Sequence, residues 1–213
     1  MKPASFVPVI GAISPGEAGE VPGLEETISY WTEGTRSAEE WFRELDGHWG
    51  TAGFVVRRGE ETLGFVVYGR REHLPRAGRY PLGPLDEDAV MLAYVGGDPR
   101  TRRRLLVRML RDLRHRGASR VEAITSDRGL PHHVPTRVLL ESGWQPVRRA
   151  PYRRSYYTLM RTDLGSAVEV GEMARALIGR VKLPGLKKPV PTPGGALSHV
   201  SRMSHAADAQ GGR

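Results

Sequence analysis

Residues 94–110 place two glycines and a proline, Gly96, Gly97 and Pro99, at the end of an apolar run. Four arginines, Arg100, Arg102, Arg103 and Arg104, then crowd what reads as the start of a helix. The first turn of a helix leaves its N–H groups unpaired and carries positive partial charge, so a strand–glycine–helix junction is a ready anion cradle. Arginines at that end oppose the dipole, at about 0.3–1 kcal/mol each where exposed at low salt. A phosphate would reverse that sign, and guanidinium forks match phosphate oxygens. The alternative is a solvated face, screened within about 8–10 Å at physiological salt. An arginine cluster alone does not separate the two.

Other residues could handle protons. Glu87 and Asp88 open the apolar run 89–95, a place from which a carboxylate takes an amine proton through water; strand-edge solvation is the alternative. Tyr152, Tyr156 and Tyr157 could donate one, or simply pack on an antiparallel sheet, where tyrosine is common. Glu122 is similarly ambiguous. His132 and His133 are adjacent, but no carboxylates accompany them at ligand spacing, so no metal site is expected. No nucleophile elbow is present. The absence of cysteine excludes a thiol nucleophile, disulfides and cysteine metal sites, and weakly favours a reducing compartment.

These residues need a scaffold. The 213 residues suit one domain and a tail, with 39% hydrophobic and 26% charged content. The net charge of +8 favours anionic partners without choosing among them, and arginine-rich composition also follows from GC-rich coding. Residues 1–23 are broken by Pro8 and Gly11, too short and interrupted for a secretion signal, and no run of about 18 apolar residues exists. A cytoplasmic protein is expected.

The chain divides into an N-terminal arm (1–36), a folded domain (37–183) and a basic, Pro/Gly-rich tail (184–213) expected to be disordered. The arm holds a short strand near Phe6–Ile13, and Leu24–Trp31 fits either a helix or an irregular segment. Ser37-Ala38-Glu39-Glu40 is a capping box for a helix at 38–47 with Trp41, Phe42 and Leu45 inward. Two β-branched runs about Gly59-Glu60-Glu61 form a hairpin. A loop at His73–Pro84 leads to a buried strand, 89–95. Leu106, Met109, Leu110 and Leu113 share one helix face, stopped by Gly117. A strand at 121–125, a short helix at 135–142 closed by Gly143, and a last strand at 156–160 follow. A second capping box at Ser166–Glu169 opens an amphipathic helix, 166–182, suited to covering a sheet edge, docking a partner chain or lying on a membrane surface. The fold class is α/β of the α+β kind: a mixed, mostly antiparallel sheet flanked by helices.

The element order and several strings resemble the GNAT acyl-CoA N-acyltransferase family over about residues 37–162. The strings are GFVVRRGEETLGFVVY, AVMLAYVGGDP, LRHRGASRVEAIT and VLLESGWQPV. The resemblance implies acetyl-CoA in a splayed gap between the fourth and fifth strands, with no metal, and direct attack of an unknown amine on the thioester. The pantetheine arm would pair with backbone at Leu92, Tyr94 and Val95. The diphosphate would sit on amides of the turn at Gly96 and Gly97 and the helix start to Leu105, helped by Arg100, Arg102, Arg103 and Arg104. Glu87, Asp88 and Tyr152 would be the catalytic candidates. Two positions depart from the pattern: Arg102 stands where a glycine is expected, and Leu139 where a tyrosine often serves as general acid.

The balance favours an enzyme. A GNAT-like module that binds an acyl-CoA or another phosphate ligand without catalysis is the alternative. A nucleic-acid-binding surface is a further one, since eight arginines fall within 100–116. A homo-oligomer is compatible with each.

Overall fold

The computed structural model describes residues 7–165; the predicted helix at 166–182 and the tail at 184–213 lie outside the described residues. The chain enters along a strand, β1 (Val9–Ala12), that pairs antiparallel with β2 (Gly53–Arg58). Between them come a one-turn helix, α1 (Pro15–Ala18), and two longer ones, α2 (Leu24–Trp31) and α3 (Ala38–His48). The hairpin partner β3 (Glu61–Arg70) leads through 3-10 turns to β4 (Val90–Val95), and α4 (Pro99–His115) crosses over to β5 (Arg120–Ser126). A two-residue strand, β6 (Val134–Pro135), precedes α5 (Thr136–Leu140), and the hairpin of β7 (Gln145–Tyr152) and β8 (Ser155–Asp163) closes the domain. The sheet order is β1-β2-β3-β4-β5-β8-β7, with β6 on β5. Among the described residues, only β4–β5 and β5–β6 are parallel.

Both faces of the sheet are covered. One face packs Trp31, Trp41, Phe42 and Leu45 of α2 and α3 against Val55, Val67, Ala93 and Ile124. The other packs Leu105, Leu106, Met109, Leu110 and Leu113 of α4 against Val56, Val66, Leu92 and Val121. The predicted capping box is present: the Glu40 N–H donates to Ser37 Oγ (3.2 Å), and the Ser37 N–H donates to Glu40 Oε2 (3.0 Å). Gly117 stops α4 in the left-handed region, φ +77°.

One element that the sequence left open and one that it did not suggest take their form for identifiable reasons. Leu24–Trp31 is a helix because Leu24, Thr27, Ile28 and Trp31, all buried, form an i, i+3, i+4, i+7 stripe. Thr27 hides that stripe in the sequence; its hydroxyl is satisfied by the Gly23 carbonyl at 2.7 Å. Strand β7 was not foreseen: nearly all of it is exposed, so it has no inward alternation, and it carries Pro146 and Pro151. Prolines and unpatterned polar residues are what an edge strand tolerates.

Candidate active site

The parallel pairing of β4 and β5 stops early, at Val90↔Val121 and Met91↔Glu122. That end is clamped. The Glu122 carboxylate, 1% exposed, accepts from Arg161 Nη2 (2.6 Å) and Nε (3.0 Å) and from the Asp86 N–H (3.1 Å). Arg120 in turn holds Asp86 and Asp163. Past the clamp β4 runs on to Val95 and β5 to Ser126 without pairing each other. The β5 edge is instead taken by β6, with Thr125↔Val134 and Ser126↔Pro135. Among the described residues, no strand pairs with this edge of Leu92–Val95. The opposite edge of β4 pairs with β3 and carries a bulge, since the register passes from Val67↔Tyr94 to Tyr68↔Leu92 and skips Ala93. The extra residue re-aims its neighbour: Ala93 and Tyr94 both pack toward α2 and α3, while Leu92 and Val95 face α4.

The glycine turn closes tightly over β3. The Gly96 N–H donates to the Phe65 carbonyl at 2.9 Å, and Gly97 sits at φ +107°. Asp98 is the helix N-cap. Its Oδ1 accepts from the amides of Arg100 (2.7 Å) and Thr101 (3.0 Å), and its Oδ2 from the Thr101 hydroxyl (2.8 Å). The hydrogen bond from the Thr101 amide leads the causes that hold the Asp98 carboxyl below its ordinary range. The expectation of open amides at this helix start is therefore corrected: two are already satisfied by the chain's own carboxylate. Aspartate is a strong N-cap residue, and the pair Asp98-Pro99 carries that signal in the sequence.

The arginines separate. Arg104 Nη2 donates to the Pro8 carbonyl at 3.0 Å, which ties it to the N-terminal segment. Arg102 and Arg103, with Pro99, Leu106, Val138, Glu141 and Ser142, line a cavity of about 70 Å³ between α4 and α5. The buried Arg102 Nε has no hydrogen-bond partner among the described residues. What this junction offers an anion is guanidinium more than backbone. Arg100 is exposed beside it, and Leu105 is a core residue of α4.

Glu87 and Asp88 are exposed in the turn before β4. The six-residue strand, about 20 Å long, separates them from the glycine turn. Glu87 lines a different cavity, about 450 Å³, with Arg70, Arg71 and Glu72. Tyr152 joins a cluster that no motif announced. Tyr30 and Trp31 come from α2, Tyr80 from the β3–β4 connection, His132 and His133 from the β5–β6 loop, and Tyr157 from β8. The Tyr80 ring lies 5.1 Å from Tyr152 and 4.9 Å from Tyr157. Tyr30 Oη is 2.5 Å from Tyr80 Oη, and Tyr80 Oη is 2.7 Å from His133 Nε2. His133 Nδ1 is 2.9 Å from the Pro131 carbonyl. Burial pushes the His133 imidazole down to about 4 and, with the Tyr30 hydrogen bond, pushes the Tyr80 phenol up. At neutral pH the His133 imidazole is uncharged, and the Tyr80 and Tyr157 phenols keep their protons. Tyr80 and Tyr157 share the core on the α2 and α3 side of the sheet with Met91 and Ala93 of β4, and Tyr30 and Tyr152 pack against it. Leu139, where the resembled family often has tyrosine, is fully buried under α4.

The open strand edge, the bulge beside it and the glycine turn at its end adjoin one another along β4. No family model and no curated protein matches the sequence, but solved structures do. yncA from Salmonella typhimurium, described as an acetyltransferase with its cofactor acetyl-CoA, is 14% identical, with a TM-score of 0.54 over 76% of this chain and 97% of that one. An N-acetyltransferase from Staphylococcus aureus Mu50 is 12% identical, with a TM-score of 0.53 over 74% and 99%. A ribosomal-protein-alanine N-acetyltransferase from Brucella melitensis is 13% identical, with a TM-score of 0.51 over 73% and 99%. The chain has the GNAT acetyltransferase fold. Among the described residues, no helix is long and apolar enough to cross a membrane, and no group of three or more potential ligands could hold a metal ion.

Proposed function

We propose that the protein is an acetyl-CoA-dependent N-acetyltransferase that moves an acetyl group to a primary amine by direct attack. The observation that carries this reading is the unpaired β4 edge, Leu92–Val95, opening beyond the Glu122 clamp and ending at the glycine turn. Pantetheine carries two amides and can pair with such an edge as a strand would. Arg102 and Arg103, which line the cavity beside the helix start, supply guanidinium donors for a diphosphate. An edge N–H of β4 would hold the thioester carbonyl and stabilise the oxyanion as the amine adds. The phenol of Tyr157, kept protonated by burial, is the available donor for the departing thiolate. Isothermal titration with acetyl-CoA should give saturable heat in the micromolar range, and thiol release should appear with some member of a broad amine panel. No heat at millimolar acetyl-CoA overturns the reading.

Asp98 favours a second reading, a GNAT-fold module that binds an acyl-CoA without turning it over. Its carboxylate stands where diphosphate oxygens would approach. Asp98→Ser keeps an N-cap and removes the charge, so it should cost less than about 0.5 kcal/mol in urea unfolding, while Asp98→Ala should cost about 1 kcal/mol. Coenzyme A should bind Asp98→Ser about three- to tenfold more tightly than wild type. Unchanged affinity would place the diphosphate away from α4. Binding without thiol release from any amine would select the second reading.

A further inference from the structure

The Tyr30–Tyr80–His133 chain has a direction that the geometry itself sets. The Pro131 carbonyl can only accept, so the His133 Nδ1 beside it carries the proton. A neutral imidazole with Nδ1–H has a bare Nε2, so Nε2 accepts and Tyr80 donates. With its single proton spent inward, the Tyr80 oxygen accepts from Tyr30. Tyr30 has then spent its proton too. At the outer end of the chain it presents lone pairs only, and its half-buried phenol oxygen can bind donors and nothing else.

A cation lies beside it. The Arg76 guanidinium stacks over the Tyr30 ring at 4.1 Å, and His132 stacks on it at 4.9 Å. The buried Arg76 Nε has no hydrogen-bond partner among the described residues. Arg153 lies over the Tyr152 ring at 5.5 Å. The charged groups facing the cluster are thus Arg76, Arg153 and the exposed Glu26, which faces His132. An N–H acceptor flanked by a guanidinium matches a molecule carrying an ammonium and a carboxylate close together.

Building on the acetyltransferase reading, we infer that the acceptor is an amine bearing a nearby carboxylate, such as a free amino acid. Its nitrogen donates to Tyr30 Oη and its carboxylate pairs with Arg76. Tyr80 and His133 are positioning residues that keep Tyr30 an acceptor.

The test uses full-length protein labelled with ¹⁵N-histidine at pH 7, with and without coenzyme A. It is titrated with matched pairs: alanine and ethylamine, phenylalanine and phenethylamine, and 4-aminobutyrate and butylamine. His133 should show the Nδ1–H tautomer. In at least one pair the carboxylate-bearing member should shift the His133 Nε2 resonance at a tenfold lower concentration than its partner. Tyr30→Phe and Arg76→Gln should each raise that concentration at least tenfold while leaving the acetyl-CoA titration unchanged. An Nε2–H tautomer, equal response to both members of every pair, silence with and without coenzyme A, or unaltered binding in Tyr30→Phe overturns the inference. Failure of acetyl-CoA to bind, with the amino-acid response intact, overturns the acetyltransferase reading alone.

Discussion

Gly64→Ala is expected to destabilise the domain by about 3 kcal/mol or more and to detach the glycine turn from β3. A Cβ at Gly64 would stand 2.4 Å from the Gly96 carbonyl oxygen, 2.9 Å from its carbon and 2.9 Å from Gly97 Cα. All three are backbone atoms, so no side chain can swing aside to make room. The turn cannot retreat freely either. Gly96 is held by its hydrogen bond to Phe65, and Gly97 already approaches the Leu63 carbonyl and Thr101 closely enough that a Cβ there would sit 2.7 Å from that oxygen. Urea unfolding of Gly64→Ala against Gly11→Ala checks this. Gly11 has nothing within 4 Å of a built Cβ and needs no left-handed φ, so its alanine should fall between neutral and about 1 kcal/mol stabilising. The same Gly64 variant should weaken acetyl-CoA binding if the β4 edge and turn are the cofactor's seat. Wild-type stability in Gly64→Ala would mean that the turn is not packed on β3 as described.

Acidification should cost stability through His133. Its folded value, about 4, lies below the ordinary 6.5, because burial disfavours the imidazolium more than the hydrogen bond to Pro131 supports it. Between those two values the unfolded chain binds a proton that the folded chain does not, so stability rises with pH across the window. The contribution is fully present above about pH 6.5 and is lost as pH falls toward 4, on the order of 3 kcal/mol over that range. His132, lowered by the same cause, acts with the same sign. Carboxylates titrate in the lower part of this window as well. The measurement is therefore a difference: urea unfolding of wild type and His133→Gln at pH 7.5, 5.5 and 4.5. The variant, less stable at pH 7.5 for want of the Tyr80 partner, should show a pH profile flatter by that amount. Parallel profiles would mean that His133 is accessible to solvent protons.

Local signals carried the fold a long way. The Ser37 box, the β2–β3 hairpin, the apolar run of β4 and the Leu106–Leu113 face of α4 each had a pattern one element long, and each formed where that pattern stood. What local pattern could not carry was anything spread over the chain. Thr27 interrupted the α2 stripe until tertiary packing buried it. β7 has no buried face to print an alternation on. The glycine turn was legible as a turn, but its chemistry was not, because Asp98 reads equally as a loop residue and as the cap that consumes two amides. Tyr30, Tyr80, His133 and Tyr157 lie on four separate segments, so no window of sequence contains the cluster. Glu87 and Asp88, close to β4 in sequence, stand at its far end, because a strand converts a short separation along the chain into the width of the domain.

The rim formed by β7 bears on how copies of this protein could associate. Pro146 pairs with Met160 and Pro151 with Tyr156, and the register slips once between them, at Val147. With that slipped residue discounted, the two prolines fall on the same side of the ribbon. Neither has an amide proton to donate, and neither is missed by β8. A foreign strand drawing up along this rim would therefore meet two vacant donor positions within one short ribbon. Growth of the sheet from chain to chain is blocked there by composition, and self-assembly would have to proceed through side-chain surfaces instead.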